Sequence, residues 1–327
     1  MHERPTDLTD AEVADALRVH WSLAPVRLDY LPHGFGGYHW AATGRDGDRW
    51  FVTANRTDAD ADRADLVTAM AATAGLFDRG LDFVVAPVRC GSGETASPVG
   101  PRYALTVFPF ADGTPGLWGD AMTAADRAMV ARMLASLHQA QQGLDAVPVR
   151  TAELPGRVRR GFSSECGRPW RGGPYAAVAW ELLSEQAASL QAGLAAFDDL
   201  AAQVAAEGRP AVITHGEPHP GNLIRSGGRY LLVDWDTMGL AAPERDLWWV
   251  LSETGTEASL YATLTGREVS QAAVALYRLR WDLEDIGLLL ADLRAANQAN
   301  DDTETGWAGL RSAVLRIAGN CARSSPD

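Results

Sequence analysis

The apolar period of this chain changes once along its length, and the change limits the folds open to it. Up to residue 110 the apolar residues alternate in short runs, at 26–31 (VRLDYL), 38–43 and 49–54. Alternation puts every second side chain on one face, the pattern of a half-buried strand. His33-Gly34-Phe35-Gly36-Gly37 separates the first two runs and Arg45-Asp46-Gly47-Asp48 the next two. Asp-Gly is a favoured hairpin pair, so the three runs read as an antiparallel meander. Ahead of them, Thr9 followed by Glu12 has the form of a capping box, opening a short helix. The Ala- and Asp-rich stretch 59–79 reads as a long helix. Residues 82–89 (DFVVAPVR) and 102–108 (RYALTVF) read as two more strands, and the GSGETASPVGP between them as a loop.

After Pro109-Phe110-Ala111-Asp112-Gly113 the texture becomes helical, with apolar spacing near 3.6. Helices are expected over 122–142, 176–207, 243–253, 268–298 and 304–320, with a Gly/Arg/Pro-rich loop at 155–174. The strands in this half are short: 211–214, 222–225 and 230–235. The expected fold class is therefore α+β. A five-stranded antiparallel sheet lobe would occupy 1–110, and a larger, mainly helical lobe 111–327. Ligands favour clefts between such units.

Composition narrows the partners. The length of 327 residues suits two domains, and a 46% hydrophobic share supplies their cores. The formal net charge is −13, which disfavours nucleic acid and anionic membranes and suits a cationic small molecule. All 29 basic residues are Arg; the chain contains no Lys. Cys90, Cys166 and Cys321 are far apart and form no CxxC pair, so a zinc ribbon or disulfide framework is not expected. The first residues, MHERPTDLTD, have no apolar signal region, and no run is long and apolar enough to span a bilayer. A soluble, reduced, cytoplasmic protein is expected. The oligomeric state is left open.

The densest chemical signal is Thr214-His215-Gly216-Glu217-Pro218-His219-Pro220-Gly221-Asn222, followed by Leu232-Val233-Asp234-Trp235-Asp236. Its prolines preclude a regular helix, so the segment reads as a rigid loop between two strands. It holds an acid at 217, an amide oxygen at 222 and a carboxylate at 234. Phosphoryl transfer uses such a set: one group to orient or deprotonate a hydroxyl, and two hard oxygens for magnesium. A kinase catalytic loop sets its acid five positions before its Asn, the separation of Glu217 and Asn222. His215 and His219 flank a carboxylate four residues apart, but the prolines deny a helix and no third ligand is evident for zinc.

With HGEPHPGN and VDWD, and with Pro243-Glu244-Arg245-Asp246-Leu247 further on, the sequence resembles the aminoglycoside phosphotransferase family. These are antibiotic kinases of bilobal, protein-kinase-like fold. The resemblance runs from about residue 20 to about 320, with HGFGGYHW at the nucleotide-loop position and LTVFPFADG at the hinge. It implies ATP and Mg2+ as cofactors. By position, Glu217 would be the catalytic base, His215 would hold the loop, and Asn222 and Asp234 would bind the metal. Gly34, Phe35, Gly36 and Gly37 would meet the ATP phosphates, and the segment from Val107 through Phe108 to Phe110 the adenine edge. Asp246 would tie the loop to the following helix.

Two departures mark the chain as a divergent member. The family has HGD where this chain has HGE, and the extra methylene of Glu217 moves the carboxylate by roughly 1.5 Å. Thr53 stands where the third strand of a kinase-like lobe carries a Lys that pairs with phosphates and a helix Glu. Arg49 and Arg56 are the cations on that strand. His39 takes the place of a third glycine in the nucleotide loop.

For the acceptor, Asp236, Trp281, Glu284 and Asp285 are the substrate candidates; the last three sit in Arg280-Trp281-Asp282-Leu283-Glu284-Asp285 on a long helix. His138 reads as a packed helix residue, and Arg157-Val158-Arg159-Arg160 as a solvated basic island. The leading reading is ATP-dependent phosphorylation of a hydroxyl on a small molecule, an antibiotic of aminoglycoside, aminocyclitol, peptide or nucleoside type, for resistance or self-protection. The departures keep two alternatives open: a pseudokinase that binds without transfer, and other nucleotide chemistry on the same fold.

Overall fold

The structure is a computed structural model that describes residues 1–34, 36–140, 146–156, 158–159, 170–295 and 297–324, with side chains to residue 320. Phe35, Arg157, Arg160 and Cys166, and the side chain of Cys321, lie outside the described residues. The chain forms two compact units: Met1–Arg150 with Ala211–Val269, and Thr151–Pro210 with Ser270–Asp327.

The first unit opens with helix α1 (Asp10–Trp21), whose Thr9–Glu12 capping box forms as expected. The meander follows as β1 (Arg27–Leu31), β2 (Gly37–Thr43) and β3 (Arg49–Arg56). Helix α2 (Asp60–Asp78) comes next, then β4 (Ser97–Val99) and β5 (Tyr103–Pro109). The five strands form one antiparallel sheet in the order β1-β2-β3-β5-β4. One face packs on α1, burying Trp40, Val52, Leu105 and Val107 with Leu17 and Trp21.

The fourth strand is not the one the sequence points to. Residues 82–89 run alongside β5 and the later strand end but join no sheet. They are held by a few bonds: Val85 N–H to Leu232 O at 3.1 Å and Leu232 N–H to Phe83 O at 2.8 Å, an isolated bridge, and Val88 N–H to Val107 O at 2.7 Å. Pro87 has no N–H to continue a ladder. Ser97–Val99, inside the expected loop, pairs with β5 instead.

The rest of this unit holds β6 (Thr114–Pro115), α3 (Ala124–Gln139), β7 (Val212–Thr214), β8 (Leu223–Ser226), β9 (Arg229–Leu232) and β10 (Gly239–Ala241). Short helices α6 (Glu244–Leu247) and α7 (Thr256–Thr265) end it. β7 pairs with β10, and β6-β8-β9 form a small sheet. One core runs through this half, joining Leu66, Met70 and Leu76 of α2, Val130 and Leu134 of α3, and Ile213, Leu232 and Trp235. The segment that carries the loop of interest is thus fixed on rigid packing.

The second unit is helical: α4 (Ala176–Glu185), α5 (Ala187–Glu207), α8 (Gln271–Arg294) and α9 (Asp301–Ser324). Its core gathers Phe197, Leu276, Leu283, Leu290, Leu310 and Val314. The single helix expected over 176–207 is two, divided at Gln186, where φ is −98° and ψ 12°. No Gly or Pro in the sequence marks that break.

Candidate active site

The loop at 215–222 hangs between β7 and β8 and is fixed from below by one buried acid. Asp246 accepts the backbone N–H of His215 at 2.8 Å and of Gly216 at 2.6 Å. It also bonds His138 Nε2 at 3.1 Å, and His138 Nδ1 meets the Tyr261 hydroxyl at 2.9 Å. Burial alone would raise the Asp246 pKa, but the bond to His138 and the nearby Arg245 hold it below the usual carboxylate range. His138, expected as packing, is in fact part of this support.

His215 joins the loop to the next strand end. Its Nε2 donates to Val233 O at 2.9 Å, and its Nδ1 accepts the Glu217 N–H at 3.2 Å. That pattern assigns the neutral Nε2–H tautomer. Burial pushes the pKa of His215 down to about 4, in keeping with a neutral ring.

Asn222 closes the 3-10 turn Pro220–Asn222. Its Nδ2 donates to Glu217 O at 3.0 Å, which leaves Oδ1 as the end able to ligate a cation. Val233 N–H donates to Asn222 O at 3.0 Å, so Asp234 follows directly on a residue bonded to Asn222. Asp234 adopts φ +66°, left-handed for a residue that is not glycine. Such strain concentrates at functional sites. Its side chain keeps a solvent-open face. Crowding by protein and the Asp236 carboxylate push its pKa up. Asp236 is pushed up by burial, with Arg150 opposing. Its Oδ2 accepts from Asn55 Nδ2 of β3 at 3.2 Å. Two crowded carboxylates, one with an open face, are a donor set whose negative charge Arg150 and Arg245 offset only in part. Among the described residues no group of three or more His, Cys, Asp or Glu forms a ready cage. Magnesium does not require one, because it keeps waters and substrate phosphates as ligands.

Glu217 lies beside a cluster that the sequence reading missed. His219 Nε2 is 3.9 Å from its Oε2. The His219 ring lies edge-on to Trp118 at 4.6 Å and tilted to Trp249 at 5.2 Å, and Trp118 meets Trp249 at 5.6 Å. Burial keeps His219 neutral, with a pKa of about 4. Trp118 is 59% exposed, an unusual exposure for so large an apolar ring next to a loop of this kind. The sequence signal was there in PERDLWW and in Trp118 just after the hinge, but contact between them needs the fold.

The expected nucleotide residues are spread along the five-stranded sheet, with Gly37 opposite Asn55 at one end and Phe110 just past Pro109, opposite Trp50, at the other. Gly34 and Gly36 have positive φ, at 74° and 94°. Gly37 begins β2. Thr53 pairs across the sheet with His39, whose Nδ1 is 3.2 Å from Thr53 Oγ1. Burial holds His39 down to about 3, so this position carries no charge. The strand's arginines are engaged elsewhere: Arg49 lies over the Phe110 ring at 3.6 Å and Arg56 pairs with Asp58 at 3.2 Å. In the hinge segment Val107 and Phe108 are buried, Val107 O accepts from Val88, and Phe110 N–H donates to Arg49 O at 3.1 Å.

Trp281, Glu284 and Asp285 belong to the second unit, on α8. Glu284 pairs with Arg280 at 2.9 Å. Burial pushes Asp285 up to about 7, aided by Asp282 and Glu284 and opposed by Arg316.

A family model described as the phosphotransferase enzyme family matches residues 27–273. The chain belongs to that family. It is a small-molecule kinase, and ATP with a divalent metal is the cofactor pair of its family. Solved structures agree on the fold. A spectinomycin phosphotransferase with ADP and spectinomycin superposes with a TM-score of 0.73 at 16% identity, covering 96% of this chain and 98% of that one. An amicoumacin kinase with AMP-PNP, Ca2+ and its ligand gives 0.63 at 16% identity, covering 96% and 94%. A macrolide 2′-phosphotransferase from Brachybacterium faecium gives 0.52 at 19% identity, covering 99% of each. Against curated protein sequences the chain has no significant match. No helix among the described residues is long and apolar enough to cross a membrane.

Proposed function

We propose that this phosphotransferase moves a phosphoryl group from ATP to a hydroxyl of an antibiotic, in resistance or self-protection. The observation that carries the reading is the bond from Val233 N–H to the Asn222 backbone carbonyl, which joins Asn222 to the strand end just before an open, strained Asp234. The donor chemistry fits magnesium: two hard oxygens and a second carboxylate behind them at Asp236, whose charge Arg150 and Arg245 offset only in part. Asn222 and Asp234 would hold the ion, the glycines at 34, 36 and 37 would face the phosphates, and Val107 to Phe110 would border the adenine. When bound, ATP supplies the phosphoryl group and magnesium offsets its negative charge.

The protein's own part is positioning. Glu217 orients the acceptor hydroxyl and takes its proton. His215, neutral and bonded at both nitrogens, keeps the Glu217 backbone in register with Val233. Similarity to phosphotransferases of spectinomycin, amicoumacin and macrolides favours an antibiotic over other small alcohols. Trp118 and Trp249 offer a ring of such an acceptor an apolar face beside Glu217. The acid excess suits a cationic acceptor. For the acceptor the proposed contacts are Trp281, Glu284, Asp285 and Asp236, and for the nucleotide the residues 1–110.

The test is a panel of antibiotics incubated with radiolabelled ATP and magnesium. A product heavier by one phosphate, lost in Asp234→Ala while the fold persists, is the expected result. Magnesium–ATP binding with no labelled product from any acceptor would favour a pseudokinase, and a nucleotidyl adduct would favour the other chemistry.

A further inference from the structure

The chain has no lysine for the third strand, and its two β3 arginines are committed to Phe110 and Asp58. Helix α2 follows β3 in the chain, as does the helix that such a lysine normally anchors. Something else must tie α2 to the phosphate end of the site.

One arginine makes that tie. Arg150 Nη1 donates to Asp65 Oδ2 on α2. Its Nη2 donates to Asp236 O at 3.3 Å and its Nε to Met238 O at 3.1 Å. A single guanidinium therefore holds the helix and the backbone that follows Asp234. Its own backbone is fixed as well: Arg150 N–H donates to Leu240 O at 2.9 Å, and Leu240 N–H to Pro148 O at 2.7 Å. The approach is close enough to need glycine on the facing strand. A Cβ on Gly239 would lie 2.6 Å from Arg150 Cγ and 2.6 Å from Pro148 O. The side chain is only 21% exposed. An exposed ion pair alone contributes little, but a planar fork serving three acceptors on two elements acts as a brace.

We propose that Arg150 is a positioning residue that replaces the absent third-strand lysine, bracing helix α2 through Asp65 against the Asp234–Met238 segment. The brace sets where Asp234 presents its carboxylate. This rests on the reading of Asp234 as the metal ligand, but the brace itself is testable without nucleotide.

Two measurements on the full chain decide it. Hydrogen exchange on the nucleotide-free protein should show faster exchange over 60–78 and 234–241 in Arg150→Ala, and over 60–78 alone in Asp65→Asn. Calorimetry should show that Arg150→Ala weakens magnesium–ATP about tenfold, a change of about 1.4 kcal/mol, with adenosine binding unchanged. Arg150→Lys should recover only part, because an ammonium cannot serve all three acceptors. Gly239→Ala, which keeps the guanidinium but crowds its stem, should copy the loss. If Arg150→Ala unfolds the protein, Gly239→Ala and Asp65→Asn carry the test. Unchanged exchange in α2, or equal losses for adenosine and magnesium–ATP, would overturn the proposal. A wild type that binds no magnesium–ATP, with the exchange pattern still present in the variants, would sink the functional reading and leave the brace standing.

Discussion

The carboxylate of Asp246 accepts the backbone N–H of Gly216 at 2.6 Å. Gly216 stands between the two residues given roles in the loop, His215 and Glu217. Its φ is +104°, and a Cβ there would lie 2.3 Å from Arg245 Nη2. Arg245 in turn donates to Thr214 Oγ1 and to Thr237 O, each at 2.9 Å. The loop is therefore held by α6 through one acid and one base, and Glu217 inherits its position from them.

Asp246→Asn is expected to destabilise the fold by about 3 kcal/mol. The amide would turn an N–H toward donors that now meet a carboxylate, leaving buried groups unpaired. Turnover should fall in the same variant even under conditions where it is folded. Urea unfolding followed by circular dichroism checks the first part. A loss below about 0.5 kcal/mol, the range of ordinary surface changes, would mean that the loop has other support.

At Asp234 fold and function should separate. Asn tolerates left-handed backbone almost as well as Asp, so Asp234→Asn should melt close to wild type. Removing one carboxylate from the crowded pair should relieve repulsion and leave stability equal or slightly higher. Turnover should drop at least about a hundredfold, the usual scale for losing an oriented ligand. Asp234→Val adds backbone strain of about 1 kcal/mol or more and should melt lower than Asp234→Asn. Equal melting of the two variants would show that the φ of +66° is not maintained in solution.

The longer acid at 217 makes its own prediction. The loop backbone is fixed by Asp246 and His215, so it does not follow a shortened side chain. Glu217→Asp should withdraw the carboxylate by roughly 1.5 Å and lower kcat by about 10- to 100-fold, with the KM for ATP unchanged. Steady-state kinetics with whichever acceptor the panel identifies gives the measurement. A gain in kcat would mean that the site is still shaped for the family's aspartate.

Much of this was readable because local chemistry and fold agree. The Asp-Gly turn at 46–47, the Thr9 cap and the period change near 110 all form as their residues dictate. The loop's prolines announced its shape, and the spacing of 217, 222 and 234 announced the family that the 27–273 match establishes. What was hidden depended on long-range partners. Ser97–Val99 is a strand only because β5 offers it an edge, while the more apolar 82–89 loses that edge at Pro87. His138 looks like any helix residue until Asp246, 108 positions away, meets its Nε2. Arg150 is one arginine among 29, and nothing in its neighbours along the chain links it to Asp65 or Asp236.

The histidine beneath the loop sets a pH limit. His215 has a folded pKa of about 4, lowered chiefly by burial, against about 6.5 when unfolded. Between these values the unfolded chain binds the proton and the folded chain does not, so stability rises with pH. The contribution is fully present above about pH 6.5, is lost as pH falls toward 4, and falls no further below that. One pKa unit corresponds to about 1.4 kcal/mol, so the loss from this ring is on the order of 3 kcal/mol. The crowded pair Asp234 and Asp236 acts with the opposite sign, since their raised pKa values favour the folded state as acid is added. A melting curve alone would mix the two. Nitrogen NMR of the ring separates them: the His215 Nε2–H form should persist to about pH 5, with Nδ1 still accepting from Glu217. Titration of this ring near 6.5 would show that the loop opens to water far more often than its hydrogen bonds allow.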